Sequence, residues 1–183
     1  PKPAPTHTLI PTVRASQTLI APTPTPESTE DMIARVRPGV VRITTDGGGS
    51  GSGVIIEFNS AGTGLVLTNY HVIDGSNEVT VIVRDREEYQ ATVIGIDPLR
   101  DLALLRICCG EFVPLGLVSS VPRLGAKVFV LGYPLGLSSS MRVTQGLVSA
   151  VDRSAKYDRA EIQTDAAINS GNSGGPLVSA MGE

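Results

Sequence analysis

The chain of 183 residues has no tryptophan, and its aromatic residues make up only 4% of the sequence. A core therefore has to be built from valine, isoleucine, leucine and alanine, and a hydrophobic content of 41% is sufficient for one. No apolar run approaches the roughly 20 residues of a membrane-spanning helix. Because the net charge is −3, the composition gives no reason to expect a nucleic-acid partner.

Cysteine and histidine are scarce as well, with two residues of each. Cys108 and Cys109 are neighbours, and neighbours on a strand point to opposite faces. We therefore expect one buried and one exposed thiol, with neither a disulfide nor a metal role. His7 lies in a proline-rich tail, so His71 is the only histidine available to a structured site. No zinc site is predicted, and neither a metal nor a cofactor is expected.

The amino-terminal segment differs in composition from the rest of the chain. Residues 1–26 hold seven of the 13 prolines, together with six threonines, and we interpret them as a disordered linker. The following residues 28–31 read Ser-Thr-Glu-Asp, a capping box that predicts the start of a helix. Apolar residues at helical spacing follow, and Pro38-Gly39 should end this short helix.

From residue 40 onward, short apolar runs alternate with turn residues, which indicates antiparallel strands. No helical pattern of 10–15 residues separates the runs, so parallel βαβ units are not expected. The glycine-rich residues 47–53 lack the spacing of a phosphate-binding loop and are interpreted as a flexible loop. A first group of strands, enough to close a small barrel, is predicted near residues 40–45, 52–58, 64–70, 78–84, 88–96 and 102–107. A second group is predicted near residues 126–132, 142–151, 160–164 and 175–179.

Residues 171–177 read Gly-Asn-Ser-Gly-Gly-Pro-Leu and set Ser173 in a glycine-rich turn. Such a turn can expose the hydroxyl and direct successive backbone N–H groups toward one point. A nucleophilic serine needs a base, and the base needs an orienting carboxylate. His71 follows the apolar run 65–70, at the predicted end of a strand, and Asp101 opens the apolar run 102–105. The order His, Asp, Ser is that of the chymotrypsin class.

Taken together, three motifs resemble those of a trypsin-like serine protease and, more narrowly, of the HtrA/Deg family. They are Thr-Asn-Tyr-His-Val at 68–72, Asp-Leu-Ala-Leu-Leu at 101–105 and the serine turn. Supporting stretches lie at residues 51–56, 131–136 and 163–169, so the resemblance covers the chain from about residue 30 to its end.

The resemblance implies an all-β fold of two six-stranded antiparallel β-barrels. The second barrel is expected to be truncated at its carboxyl end, and a short helix should precede the first. The implied organisation is a linker over 1–26 and a protease domain over 27–183. Within that domain, the first barrel would take residues 27–115 and the incomplete second barrel residues 116–183.

The resemblance also implies a catalytic triad of His71, Asp101 and Ser173 at the seam between the barrels. Two other acids are rivals to Asp101. Asp97 precedes a proline and is typical of a turn, and Asp165 is interpreted as a loop acid near the substrate pocket. The family match favours Asp101.

The oxyanion hole is expected at the backbone N–H groups of Gly171 and Ser173, with the amide of Asn172 nearby. Asn172 replaces an acid that pairs with a newly formed amino terminus in many relatives, so activation by such cleavage is not expected. The substrate pocket implied by the resemblance consists of Ala167, Ile168 and Asn169. Its apolar pair predicts cleavage after small or medium aliphatic residues.

The expected activity is a serine endopeptidase that hydrolyses peptide bonds through an acyl-enzyme. Its substrates would be unfolded or extended polypeptides, in extracytoplasmic quality control at the periplasm or cell surface. An upstream membrane anchor, a downstream PDZ domain and a homotrimer are implied by the family, and no nucleic acid is. Two alternatives remain open, a catalytically inactive peptide-binding or chaperone-like barrel and an inactive fragment.

Overall fold

The structure is a computed structural model and describes residues 27–134, 140–154 and 159–183. The predicted linker 1–26 lies outside the described residues. Two α-helices, α1 (Thr29–Val36) and α2 (Tyr70–Ile73), and one 3-10 turn (Arg37–Gly39) occur in these ranges. None of the helices there is long and apolar enough to cross a membrane. The strands are β1 (Val40–Thr45), β2 (Ser50–Phe58), β3 (Gly64–Thr68), β4 (Val79–Val83), β5 (Glu87–Asp97), β6 (Leu102–Ile107), β7 (Lys127–Gly132), β8 (Arg142–Ser154), β9 (Arg159–Thr164) and β10 (Leu177–Ser179).

Strands β1 to β6 form a closed antiparallel barrel in the order β1-β2-β3-β6-β5-β4. Alternate side chains point inward, as Ala103, Leu105 and Ile107 do along β6. The aliphatic composition explains the core, because valine, isoleucine and leucine supply almost all of its side chains. The predicted all-β fold is confirmed, and each predicted strand exists with ends that shift by three residues or fewer.

Strands β7 to β10 form a four-stranded sheet in the order β10-β7-β8-β9. This open sheet lies in the part of the chain for which the sequence predicted a second, incomplete barrel. Helix α1 packs mainly on this sheet, through Met32 and Val36. Ser28 begins this helix as expected, since its hydroxyl oxygen accepts a hydrogen bond of 3.0 Å from the Asp31 N–H. The apolar cluster under the helix is completed by Val40, Phe129, Leu131, Tyr133 and Val178.

A buried tyrosine also joins the sheet to the barrel. The Tyr133 hydroxyl donates a hydrogen bond of 2.7 Å to Asp85, in the turn between β4 and β5. Arg37, in the 3-10 turn, pairs with the other oxygen of the same carboxylate. Burial raises the pKa of Tyr133, and the hydrogen bond to Asp85 raises it further. The phenol therefore stays protonated and remains a donor in this contact between the two parts of the fold.

Two predictions about local structure are wrong. Residues 47–53 are not one flexible loop, because β2 begins at Ser50 and includes Gly51. Glycine is needed there because a Cβ would lie 2.7 Å from a Val72 methyl and 3.1 Å from the Ser173 carbonyl oxygen. Cys108 and Cys109 are both exposed, whereas one was expected to be buried. The strand alternation does not reach them, because β6 ends at residue 107.

Candidate active site

His71 lies in helix α2, a single turn directly after β3, and not at the end of a strand as the sequence predicted. The two residues after it, Val72 and Ile73, are buried in the barrel core. They anchor the helical turn, and the His71 side chain is left 57% exposed. A histidine so exposed can be reached by a substrate and can exchange protons.

Asp101 binds His71 through both carboxylate oxygens. Its Oδ2 is 2.8 Å from the His71 Nδ1, and its Oδ1 accepts a hydrogen bond of 2.9 Å from the His71 backbone N–H. The Asn69 side-chain amide donates to the Asp101 carbonyl oxygen at 2.8 Å. Asp101 itself has a left-handed backbone, with φ of 57°. The carboxylate thereby places the proton on Nδ1 and leaves Nε2 as the basic nitrogen.

The two rival acids have other partners. Asp97 ends β5 and accepts hydrogen bonds from the Arg100 backbone N–H at 3.0 Å and from its guanidinium at 2.9 Å. These Arg100 hydrogen bonds lower the pKa of Asp97. The Asp165 carboxylate accepts a hydrogen bond of 2.6 Å from the backbone N–H of Leu147 in β8. The structure therefore pairs His71 with Asp101 among these three carboxylates.

Ser173 lies in the turn before β10, and its backbone is held against β2. The Ser52 N–H donates a hydrogen bond of 2.8 Å to the Ser173 carbonyl oxygen. Gly174 has φ of 81°, and a side chain there would collide with the Ser52 carbonyl oxygen and the Thr68 hydroxyl. The serine turn thus lies against the end of β3, close to the start of the helix that carries His71. In the described part of the chain, no hydrogen bond joins the Ser173 hydroxyl to the imidazole.

Backbone hydrogen bonds shape the turn around Ser173. The Asn172 N–H donates to the Asn169 carbonyl at 3.0 Å, and the Gly175 N–H donates to the Asn172 carbonyl at 2.9 Å. In a trans peptide the N–H and C=O point in opposite directions. The Ser173 N–H therefore points away from Gly175, out of the turn. Gly171, with φ of 98°, completes this conformation, and the Asn172 side chain is buried.

Ser52 is a site residue that the sequence analysis missed. Its hydroxyl is fully buried, donates to the Gly171 carbonyl at 2.7 Å and accepts from the Tyr133 N–H at 2.8 Å. One side chain of the barrel thus holds both the serine turn and the end of β7. The available signal was a small polar residue between two glycines at the start of β2. Asn69 was missed too, although a side-chain amide directly after a strand and before a helix is a typical positioning group.

The three predicted pocket residues lie together on the exposed segment that joins β9 to the serine turn. The Ala167 carbonyl accepts a hydrogen bond of 2.8 Å from the Thr144 hydroxyl, and Ile168 is 67% exposed. The Asn169 carbonyl is occupied by the Asn172 N–H. A cavity of about 500 Å³ lies elsewhere, behind the serine turn, and none of the predicted catalytic or pocket side chains lines it.

The sequence of this chain is similar to those of known proteins. The sequence profile described as a trypsin-like peptidase domain matches residues 51–183. The serine protease Do-like HtrA of Bacillus subtilis is 42% identical over 144 residues, which are 74% of this chain and 32% of that protein. The serine endoprotease DegS of Escherichia coli is 33% identical over 171 residues, or 87% of this chain and 48% of that protein. A probable periplasmic serine endoprotease, DegP-like, from Marinomonas is 45% identical over 73% of this chain and 28% of its own length.

A solved structure agrees with these relatives. The HtrA-type protease AlgWS227A with tripeptide superposes with a TM-score of 0.76 at 36% sequence identity, over 85% of this chain and 52% of that one. The chain spans 28–48% of the length of the curated relatives described above. The matched profile covers well over half of the chain, and the solved structure has the same fold. The chain belongs to the HtrA family of serine proteases and has a trypsin-like peptidase domain.

Proposed function

We propose that this protein is a serine endopeptidase that cleaves polypeptides through an acyl-enzyme, with a triad of His71, Asp101 and Ser173. The observation that carries the proposal is the pair of hydrogen bonds that the Asp101 carboxylate accepts from the ring N–H and the backbone N–H of His71. A merely structural aspartate needs no such alignment with an exposed imidazole. Ser173 is supported as the nucleophile of the triad by its backbone position, because the serine turn lies against the strand that precedes His71.

In the proposed first step, the Nε2 atom of His71 accepts the proton of the Ser173 hydroxyl as its oxygen attacks the substrate carbonyl. Asp101 stabilises the imidazolium that forms and keeps its ring in place. The imidazolium then donates its proton to the leaving amine, and an acyl-enzyme remains on the serine. Water, activated by the same histidine, releases the acid product. The hydrogen bond from Ser173 to His71 is expected to form when substrate binds, because such bonds are often long in free enzymes.

The oxyanion of the tetrahedral intermediate would be received by the backbone N–H groups of Gly171 and Ser173, with the Asn172 amide beside them. The hydrogen bond between Gly175 and the Asn172 carbonyl supports this assignment, because it orients the Ser173 N–H out of the turn. Losing one such donor typically costs about 100- to 1,000-fold in turnover.

The residue on the acyl side of the cleaved bond would contact Ala167, Ile168 and Asn169. Ile168 is exposed and apolar and offers no charge to a lysine or arginine side chain. We expect faster cleavage after Val, Ala or Leu than after Arg. Paired peptide substrates that differ only at this residue measure the preference, and a kcat/KM that favours Arg would contradict the pocket assignment.

The cellular role is proposed from the relatives. The DegP-like relatives from Marinomonas and Pseudomonas are named periplasmic, which supports an extracytoplasmic role in protein quality control with unfolded or extended polypeptides as substrates. The division into a first barrel over 27–115 and an incomplete second barrel over 116–183 is part of the same proposal. A homotrimer, a membrane anchor and a PDZ domain stay predictions from the family resemblance.

The decisive experiment is the Ser173→Ala variant. We expect turnover of an extended peptide to fall on the order of a million-fold, and labelling by a fluorophosphonate probe to disappear. The Ser119→Ala variant is the matched control, because Ser119 is exposed and lies outside the proposed site. It should retain both the labelling and the activity.

Two outcomes separate the proposal from its alternatives. If the wild-type protein is folded by circular dichroism yet takes no probe at Ser173, the proposed enzyme is wrong, and a catalytically inactive barrel or fragment is favoured. If the label is found by peptide mapping on a different serine, the assignment of the nucleophile is wrong while the protease activity stands.

A further inference from the structure

The adjacent cysteines form a cluster that the proposed peptidase activity does not use. Cys108 and Cys109 follow the last residue of β6, and both side chains are exposed. Their Sγ atoms are 2.6 Å apart. This separation is well inside the optimum of about 3.5–4.0 Å for two non-bonded carbon atoms. The two thiols therefore point to the same side, whereas neighbours on a regular strand point apart.

The backbone holds the pair in this arrangement. Cys109 has φ of 71°, in the left-handed region that residues other than glycine rarely adopt. Its N–H donates a hydrogen bond of 2.8 Å to the Gly62 carbonyl, and the Gly110 N–H approaches the same oxygen at 3.4 Å. These contacts fix the loop against the turn between β2 and β3. A hydrogen bond with the Cys108 thiol raises the pKa of Cys109, and the charge of a Cys108 thiolate raises it further.

We propose that Cys108 and Cys109 are a redox-active dithiol, which a low-molecular-weight disulfide oxidises to a disulfide between the two neighbours. One thiolate attacks a sulfur of the external disulfide, forms a mixed disulfide and releases one small thiol. The second cysteine, as its thiolate, attacks the protein sulfur of that mixed disulfide and releases the second small thiol. Two electrons pass from the protein to the oxidant, and the two cysteine protons end on the released thiols.

The resulting bond is easily reversed. Neighbouring Cα atoms across a trans peptide are about 3.8 Å apart, below the usual disulfide range of about 4.4–6.8 Å. A disulfide closed over so short a span is strained, and strained or exposed disulfides are the labile ones. The site therefore responds to the thiol–disulfide balance of its surroundings, unlike a permanent structural cross-link.

The dithiol is separate from the proposed catalytic residues. Asp101 precedes β6 and the cysteines follow it, so the strand places them about 20 Å apart. The loop instead continues into the barrel core, where the Phe112 ring lies 5.0 Å from that of Tyr89 and 5.7 Å from that of Phe58. Opening and closing of the disulfide thus acts on aromatic packing at the end of the barrel remote from His71.

The test is a mass measurement on the folded wild-type protein in mixtures of oxidised and reduced glutathione. The tryptic peptide of residues 107–123 contains both cysteines. We expect it to lose both thiols together and to become lighter by two hydrogen atoms, without bound glutathione. A reducing agent should restore the original mass. The measurement does not depend on peptidase activity, so its outcome is independent of the proposed function.

The matched variants are Cys108→Ser and Cys109→Ser, which have one thiol each. Both should accumulate a glutathione adduct under conditions in which the wild-type protein shows only the internal disulfide. Glutathione on one or both cysteines of the wild-type protein at the level of the variants would overturn the proposal. The proposal would also be overturned if the main product of the wild-type protein were a disulfide-linked dimer. It would likewise be overturned if both thiols stayed reduced in oxidised glutathione.

A second measurement uses only the wild-type protein, so it does not depend on whether the cysteine variants fold. Phenylarsine oxide condenses with two thiols on one molecule, loses one water and bridges the two sulfurs through arsenic. The reduced wild-type protein should bind one equivalent, which protects both thiols from alkylation until ethanedithiol removes it. Alkylation of both thiols at the same rate with and without the arsenical would show that the two sulfurs cannot act on one ligand.

Discussion

The two parts of this fold differ in how completely their strands are paired. Every strand of the first group has a partner on both sides, because β1 to β6 close into a barrel. The second sheet ends at β9 and β10, and apolar side chains on its strands are partly exposed, among them Leu147 and Ile162. His71 and Asp101 belong to the closed barrel, whereas Ser173 lies in a turn of the open sheet. The residues of the proposed site therefore come from a closed barrel and from a sheet whose two edge strands each have one strand partner in the described residues.

Contacts between the closed barrel and the open sheet hold the two parts together. Ser52 binds the serine turn from β2, Tyr133 donates to Asp85, and α1 packs on apolar side chains of the open sheet. Buried hydrogen bonds of this kind are costly to leave unmade. The position of Ser173 relative to His71 thus depends on a few contacts between the parts and not on either part alone.

Among the tests of this comparison, the largest expected effect is in the closed barrel. Replacing Asp101 with Asn should lower kcat by about 10,000-fold, because the amide stabilises the wrong imidazole tautomer. Asn tolerates the left-handed backbone at this position, so the fold should be unchanged. Steady-state kinetics with a peptide substrate measures the loss. The Asp97→Asn variant is the control, and an equal loss there would show that the wrong acid has been assigned.

A core substitution compares the stability of the two parts. Leu105 is fully buried in the barrel, and Leu105→Ala should lower the free energy of unfolding by about 2–5 kcal/mol. Leu147 is 45% exposed on the open sheet, and Leu147→Ala should change it by less than about 0.5 kcal/mol. Urea denaturation measures both. Equal losses would mean that the open sheet buries this face in solution.

A substitution at the contact between the parts is expected to cost less stability than Leu105→Ala. Ser52→Ala leaves the Gly171 carbonyl and the Tyr133 N–H without their partner and should cost about 1–3 kcal/mol of stability. We also expect slower fluorophosphonate labelling of Ser173, with kcat reduced and KM little changed. Ser50→Ala, on the same strand, is the matched control. A loss of stability with an unchanged labelling rate would restrict Ser52 to a purely structural role.

Much of the fold could be predicted from residue patterns. The strand positions follow from apolar alternation between turn residues, and the start of α1 follows from the Ser28 cap, because both signals are local. His71 in a helical turn could not be predicted, because its conformation depends on Val72 and Ile73 entering the barrel core. The same holds for residues 50–53, whose glycines belong to a strand only because other segments pack against them.

The sequence by itself determined which chemical groups are available and in what order, since one structured histidine, an aspartate before an apolar run and a serine among glycines follow from residue identity. Only the tertiary structure decided which acid meets the imidazole, which buried hydroxyl holds the serine turn and that two neighbouring thiols face each other. These outcomes depend on distances between atoms far apart in the chain, or on a left-handed backbone held by a remote carbonyl. Local preferences do not specify such distances, because they arise when the barrel closes and the sheet packs against it.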